Sequence, residues 1–224
     1  MKISEKRLRE IVREAVLKEA ALDTFSLEEL NSISSFAGRL RYCKAQLGIP
    51  IGRGSGRVVF MLNDERVLKL ALNSKGVAQN EVEGRDDYYK DQWDFFPEVY
   101  EKSEDWSWLV CEYVLPAKAK DFKQCLGIDF STFIAFVAGC WKEAHGYGRH
   151  YYYLKVMDYE QVRDMCDKSE YFADLCEYIQ GYDIPLGDMQ RISSYGLAMR
   201  DGKPTIVILD SGLDNYVLNN YYRN

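Results

Sequence analysis

The sequence predicts an α+β fold in two parts: a strand-rich half with one helix, then a helix-rich half that carries a late hairpin. Three observations lead there. After Pro50 the hydrophobic pattern shifts from helical spacing to short β-branched runs divided by Gly and Asn-Asp turn signals. Strand patterns cease between Lys118 and Gly181. Two β-rich runs then return around the Asp201-Gly202 pair, a hairpin-turn signature.

In residues 4–22, Leu8, Ile11, Val12, Ala15, Val16 and Leu22 recur near helical spacing, with Ser4 as N-cap and Lys and Arg on the other side. Such an amphipathic helix packs its apolar stripe either on its own domain or on a partner surface. A second helix is expected after Ser26, through Leu27, Leu30, Ile33, Phe36, Leu40 and Cys43 to a stop at Gly48, with Asp23 and Thr24 between the two. IGRGSGRVVFMLNDERVLKLAL (residues 51–72) reads as strand, glycine-rich turn, strand, Asn-Asp turn, strand. A helix over residues 75–93 follows. FFPEVYEKSEDWSWLVCEYVLP (95–116) then gives two strands joined by a polar turn at 102–105. FSTFIAFVAGCWKEAHGY (130–147) is apolar nearly all round, as a buried helix should be, and YEQVRDMCDKSEYFADLCEYIQGY (159–182) reads as one amphipathic stretch. The last strands are expected at 195–199 and 205–209. The divisions implied are a helical extension over 1–48, a strand-rich part over 49–116 and a helical part over 117–224.

Composition excludes several classes. Six cysteines stand singly with no C-x-x-C pair, and there are only two histidines, so neither a zinc site nor a disulfide framework is expected; a reducing setting fits. The charged start argues against a secretory leader, and nowhere do about 18 apolar residues run together, so no transmembrane segment is expected. A net charge of −6 argues against broad nucleic-acid binding, which rests on many Lys and Arg contacts to phosphate.

The chemistry lies in a few short motifs. Gly52, Gly54 and Gly56, with Ser55 between, let backbone amides approach phosphate oxygens. A tight hairpin turn needing positive φ explains them equally well. Lys69 lies between apolar residues in VLKLAL on an inner strand, where its ammonium demands a counter-charge; Glu81 or Glu83 on the next helix can supply it.

In this order of parts the chain resembles the protein-kinase-like superfamily, which includes small-molecule phosphotransferases. IGRGSGRVVF resembles the glycine-rich loop, VLKLA the third strand with its phosphate-binding lysine at Lys69, and QNEVE the helix whose glutamate pairs with that lysine, with Glu83 favoured. LVCEYVLP resembles the hinge whose backbone receives adenine, at Glu112 and Val114, with Cys111 guarding the back pocket. LGD resembles the catalytic-loop aspartate, at Asp188, and ILDSG the metal-binding Asp-Phe-Gly segment, at Asp210. The resemblance implies a protein-kinase-like two-lobed fold after the N-terminal helices, ATP and Mg²⁺ as cofactors, and phosphoryl transfer in which one carboxylate orients the acceptor and another holds metal.

The chain also departs from that pattern. Arg57 replaces the third glycine, no His-Arg precedes Asp188, and Ser193 stands where the magnesium-binding asparagine belongs. Ser211 replaces the phenylalanine, and fourteen residues follow Asp210, too few for an activation segment. These departures leave three expectations: an active ATP-dependent phosphotransferase acting on a protein or small molecule, a pseudokinase kept as an interaction module, or a structural virion component docked through the 4–22 helix. The virion enters through a second resemblance. MKISEKRLREIVREA is similar to the starts of tailed-bacteriophage proteins, and SSYGLAMRDGKPTIVILDSGLDNYV to the ends of small phage kinase-like proteins. It implies host cytoplasm or the virion as the setting.

Overall fold

The computed structural model describes residues 25–85, 93–146, 155–182, 184–209, 211–212 and 214–222. The helix expected over residues 4–22 lies outside the described residues. So does Asp210. The described chain is mixed α+β with two antiparallel sheets. It divides into two compact units: one holds the described residues up to Asn80 together with Val99–Tyr113, the other Glu81–Glu98 together with the described residues from Val114 onward.

The first unit begins with two short helices where the sequence predicts one. Helix α1 (Leu27–Ser32) starts where the Ser26 hydroxyl accepts from the Glu29 amide at 3.2 Å, with Glu28 and Glu29 in the first turn facing the positive end of its dipole. It ends at Ile33, whose backbone is extended. Ser35 then opens α2 (Phe36–Leu47), its hydroxyl accepting from the Gly38 amide at 3.1 Å, and Gly48 closes that helix at φ 80°. The apolar spacing runs through the break, but the Ser35 side chain competes for backbone donors and starts a new helix.

Strands β1 (Gly52–Arg53), β2 (Arg57–Met61) and β3 (Arg66–Ala71) form a meander. Helix α3 (Ser74–Gly84) follows, begun by the Asn73 side chain accepting from the Lys75 amide at 3.0 Å. Of the helix expected over 75–93, the part to Gly84 is observed, Arg85 is a bend and residues 86–92 lie outside the described ones. Strands β4 (Val99–Lys102) and β5 (Trp108–Glu112) complete a sheet in the order β1-β2-β3-β5-β4, all antiparallel.

Period-two alternation gives this sheet two different faces. Val58, Phe60, Leu68, Leu70, Trp108 and Val110 pack on Leu30 of α1 and Cys43 of α2. Burying Leu30 fully contributes about 2 kcal/mol. The Trp108 indole donates to Asn31 at 2.7 Å, so the one polar atom that the ring brings into the packing is satisfied. The opposite face carries Val59, Val67, Leu109 and Cys111. Arg39 of α2 reaches the turn between β4 and β5, pairing with Asp105 at 2.9 Å.

The second unit is mostly helical. After the short strand β6 (Leu115–Pro116) come α4 (Ala119–Leu126), α5 (Phe130–His145), α6 (Tyr159–Lys168) and α7 (Glu170–Gly181). Asp129 caps α5 and Asp158 caps α6, each accepting from an amide three residues on. The single amphipathic stretch predicted over 159–182 is two helices, because Ser169 takes an extended backbone between them. The short α8 (Leu186–Met189) and a 3₁₀ turn (Ile192–Ser194) lead into β7 (Tyr195–Arg200) and β8 (Lys203–Ile208). Asp201 and Gly202 both take positive φ, as a type I′ hairpin requires. The chain closes with α9 (Asn215–Val217) and a π turn (Leu218–Tyr222). Phe122, Phe133, Leu175, Ile179, Tyr195, Ile206 and Ile208 belong to one core. Among the described residues no single helix is long and apolar enough to cross a membrane.

Candidate functional site

Lys69 occupies the middle strand of the five-stranded sheet. Its cross-strand neighbours are Val59 on β2 and Leu109 on β5, so it shares the face of Val67 and Cys111, away from α1 and α2. Only 8% of it is exposed. A lysine at that depth is held there by a counter-charge or hydrogen-bond acceptor, since desolvating a lone ammonium costs several kcal/mol.

The glycine-rich loop closes by a hydrogen bond from the Gly54 amide to the Arg57 carbonyl at 2.8 Å. None of Gly52, Gly54 and Gly56 takes a positive φ. The ordinary turn explanation for the glycines therefore does not apply, and the three separate by what surrounds them. A Cβ on Gly56 would stand 2.6 Å from the Gln79 side-chain oxygen and 3.1 Å from the Gly76 amide nitrogen, and one on Gly76 would collide with the Gly56 carbonyl. These two glycines let the loop rest directly on the start of α3. Gly52 and Gly54 have room instead: a Cβ on either would meet nothing nearer than 3.8 Å. Neither backbone angle nor packing demands glycine at those two positions. Ser55, at the exposed tip, has its carbonyl held by the Asn73 amide side chain at 3.0 Å. Arg57, standing in place of a third glycine, is buried and donates to Asn80 of α3 at 3.3 Å, while Asn80 donates to the Trp106 carbonyl at 2.9 Å. The departure from the glycine pattern is thus a structural tie.

The two candidate glutamates of α3 separate cleanly. Glu81 makes a surface pair with Arg85 at 2.9 Å, both side chains well exposed. Glu83 is buried, 7% exposed, and so is the carboxylate whose desolvation requires partners. In the segment of the expected hinge, Glu112 ends β5 opposite Arg66, and the Tyr113 amide donates to the Glu65 carbonyl at 2.7 Å. Val114 is buried and joins Ala198 and Val207 in a small cluster of the second unit. Cys111 is fully buried.

Asp188, expected as the catalytic-loop aspartate, lies on the short helix α8. Its carboxylate is partly exposed and 3.7 Å from Arg191. The segment around it is pinned twice. The Ser194 hydroxyl donates to the Asp188 carbonyl at 2.6 Å, and the Tyr195 hydroxyl, fully buried, donates to the Met189 carbonyl. The Leu209 amide in turn donates to the Ser194 carbonyl at 2.8 Å. Ser194 therefore ties the backbone of Asp188 to that of Leu209, the residue before Asp210. Ser193 is exposed, and Ser211 is buried. Asp188 and Ser193 offer hard oxygen donors of the kind magnesium takes. Among the described residues, no three His, Cys, Asp or Glu side chains group to hold a metal.

The motifs pointed to Asp188 but not to Ser194, Tyr195 or Arg191, which hold its segment. A serine beside a tyrosine at the start of a strand gives no local signal of a bond six residues back. A cavity of about 610 Å³ opens elsewhere in the helical unit, lined by Cys125, Met165, Phe172 and Lys203 among others, and includes none of the candidate residues. Compared with known proteins, the chain matches no family model and no curated sequence.

Proposed function

We propose that the chain is a nucleotide-binding, kinase-like protein that takes ATP with Mg²⁺ and transfers the terminal phosphoryl group to a protein or small-molecule acceptor. The observation that carries this reading is Lys69: a lysine 8% exposed on the middle strand of an antiparallel sheet, with a helix bearing the buried Glu83 as the next element. That order of glycine loop, third-strand lysine and glutamate helix is the order of a kinase nucleotide site. The bare, uncrowded backbone at Gly52 and Gly54 supports it.

In this reading the loop amides and Lys69 receive the phosphates, and Glu83 balances the Lys69 charge. The backbone at Glu112 and Val114 takes the base. Asp188, held in place through Ser194 and Tyr195, accepts the proton of the acceptor hydroxyl as it attacks phosphorus. Asp210 and Ser193 are the residues that would hold magnesium, which supplies charge neutralisation on the phosphates. A second reading, a pseudokinase that binds nucleotide without turnover, draws on Ser193: an exposed serine hydroxyl is a weaker magnesium ligand than an asparagine amide oxygen at that place.

Thermal denaturation with ATP, with and without Mg²⁺, tests both. A ligand at a hundredfold excess over Kd raises stability by about 2.7 kcal/mol. A Mg²⁺-dependent shift that disappears in Lys69→Met, each variant compared with its own ligand-free baseline, supports the phosphotransferase. A shift indifferent to Mg²⁺ supports the pseudokinase. No shift under any condition overturns the nucleotide site.

A further inference from the structure

The cavity of about 610 Å³ in the helical unit lies within the size range of small-molecule sites, roughly 300–1,000 Å³. Three stretches far apart in the chain build it: the end of α4 with the turn after it, the joint between α6 and α7, and the start of β8. Gly127, at φ 74°, ends α4 and turns the chain, and Leu126 and Ile128 on either side of it are left half-buried. Ser169 separates α6 from α7 with an extended backbone, so Met165 and Phe172 meet the cavity from two different helices. The aromatic wall is fixed. The Tyr171 hydroxyl donates to the Ile206 carbonyl at 3.1 Å, and the Phe172 ring packs edge-on against Phe136 with centroids 4.9 Å apart. Met165 is the adaptable part, an unbranched thioether that fits irregular shapes.

Two properties of this lining define an occupant. Cys125, Leu126, Ile128, Met165 and Tyr171 sit at the margin of the core and keep part of their apolar surface open, so a guest with an apolar body gains by covering them. The charge is one-sided: Lys168 and Lys203 stand on the wall and, among the described residues, no Asp or Glu lines it, in a chain whose net charge is −6. Both lysines are exposed at the rim. Lys168 is paired with Asp164 at 2.6 Å, an exposed i,i+4 pair of the kind that exchanges partners at little cost. Gln124, Ser169 and Thr205 add neutral polar groups, and the Ser169 hydroxyl is not spent on capping α7.

We propose that this cavity is a binding site for a small amphipathic anion, an apolar body with a single carboxylate end. The body lies against Leu126, Ile128, Met165 and Phe172, and the carboxylate reaches Lys168 and Lys203 at the rim. A cation is repelled there, an inorganic anion forgoes the apolar wall, and a neutral apolar guest leaves both ammonium groups unused. The proposal does not rest on the nucleotide reading, because the cavity shares no residue with that site.

Titration calorimetry of the full chain with decanoate and with 2-naphthoate, an alkyl and an aromatic body on the same carboxylate, tests the proposal, with decanamide and 2-naphthamide as uncharged counterparts. At least one acid should bind one site per chain, about fivefold or more tighter than its amide, which is what two rim charges of modest worth supply. The acid that binds tighter identifies the body. It should also slow alkylation of the half-buried Cys125 thiol, read by peptide mapping. The double variant Lys168→Gln, Lys203→Gln changes only exposed positions, so it should keep its fold by circular dichroism and bind acid and amide alike. Neither heat nor Cys125 protection with either acid at millimolar concentration overturns the proposal. So does equal affinity for acid and amide in the wild type, or a preference for the acid that survives in the double variant.

Discussion

Two glycines separated by 22 positions provide a sharp test of what the glycine-rich loop is for. In Gly76→Ala the new methyl collides with the Gly56 carbonyl and stands about 3.0 Å from the Ala71 Cα, both unyielding backbone. It also presses on the Gly56 oxygen that accepts from the Leu72 amide at 2.7 Å. Overpacking of this kind costs about 1–3 kcal/mol, and the helix gains back roughly 0.5–1 kcal/mol from replacing glycine by alanine. A net loss of about 1–2 kcal/mol lowers Tm by roughly 2–8 °C for a chain of this size. Gly54→Ala is the opposite case. Its Cβ meets only the Arg57 carbonyl oxygen at 3.9 Å and its φ is not positive, so the fold tolerates the methyl. The restricted unfolded chain then adds about 0.4–1 kcal/mol of stability. If the loop holds phosphate on bare backbone, that more stable variant should lose at least half of the ATP-induced Tm shift seen in the wild type. Differential scanning fluorimetry with and without ATP and Mg²⁺ reads both effects in one plate. A Gly54→Ala protein with the full ATP shift would refute phosphate binding by the loop, and one destabilised by more than about 1 kcal/mol would refute the packing argument behind it.

Tyr195→Phe leaves the buried Met189 carbonyl without its donor and should cost about 1–3 kcal/mol in urea unfolding; an unchanged midpoint would remove Tyr195 as the anchor of the Asp188 segment. If Asp188 is the proposed base, Asp188→Asn should abolish phosphoryl transfer while ATP binding by calorimetry stays within about threefold of wild type; equal turnover would take that role from it. The remaining prediction concerns pH. Burial raises the Asp105 carboxyl, but hydrogen bonds from Ser107, Arg39 and Ser103 outweigh it and hold the group down at about 2. A depressed carboxyl contributes stability above its unfolded value near pH 4, and that contribution disappears as pH falls toward about 2. The side chain is half exposed, which limits the effect to about 1 kcal/mol. Asp105→Asn should flatten the pH dependence of stability in that window, and a slope identical to wild type would count against the pairing with Arg39.

Much of the strand-rich unit was legible because its punctuation is chemical. The Asn-Asp pair, the Gly-Ser-Gly tip and the polar run at 102–105 each require a reversal, and β-branched residues between them leave few alternatives. Helix ends were harder. Ser35 and Ser169 interrupt patterns whose apolar spacing continues on both sides, so the period alone could not reveal that each serine takes an extended backbone and precedes a new helix. Residue burial sorted the two glutamates of α3, information that lies in the surroundings and not in QNEVE itself. The same limit applies to Ser194: its ties to Asp188 and Leu209 depend on segments apart along the chain meeting in space, which no local spacing encodes.

The seating of Gly56 on Gly76 has a mechanical meaning. Most loops lean on helices through side chains, which rotate and so absorb small displacements. Here main chain meets main chain, with the Leu72 amide locked to the Gly56 oxygen. A push on the loop therefore passes into the first turn of α3 with no rotatable side chain between them to absorb it.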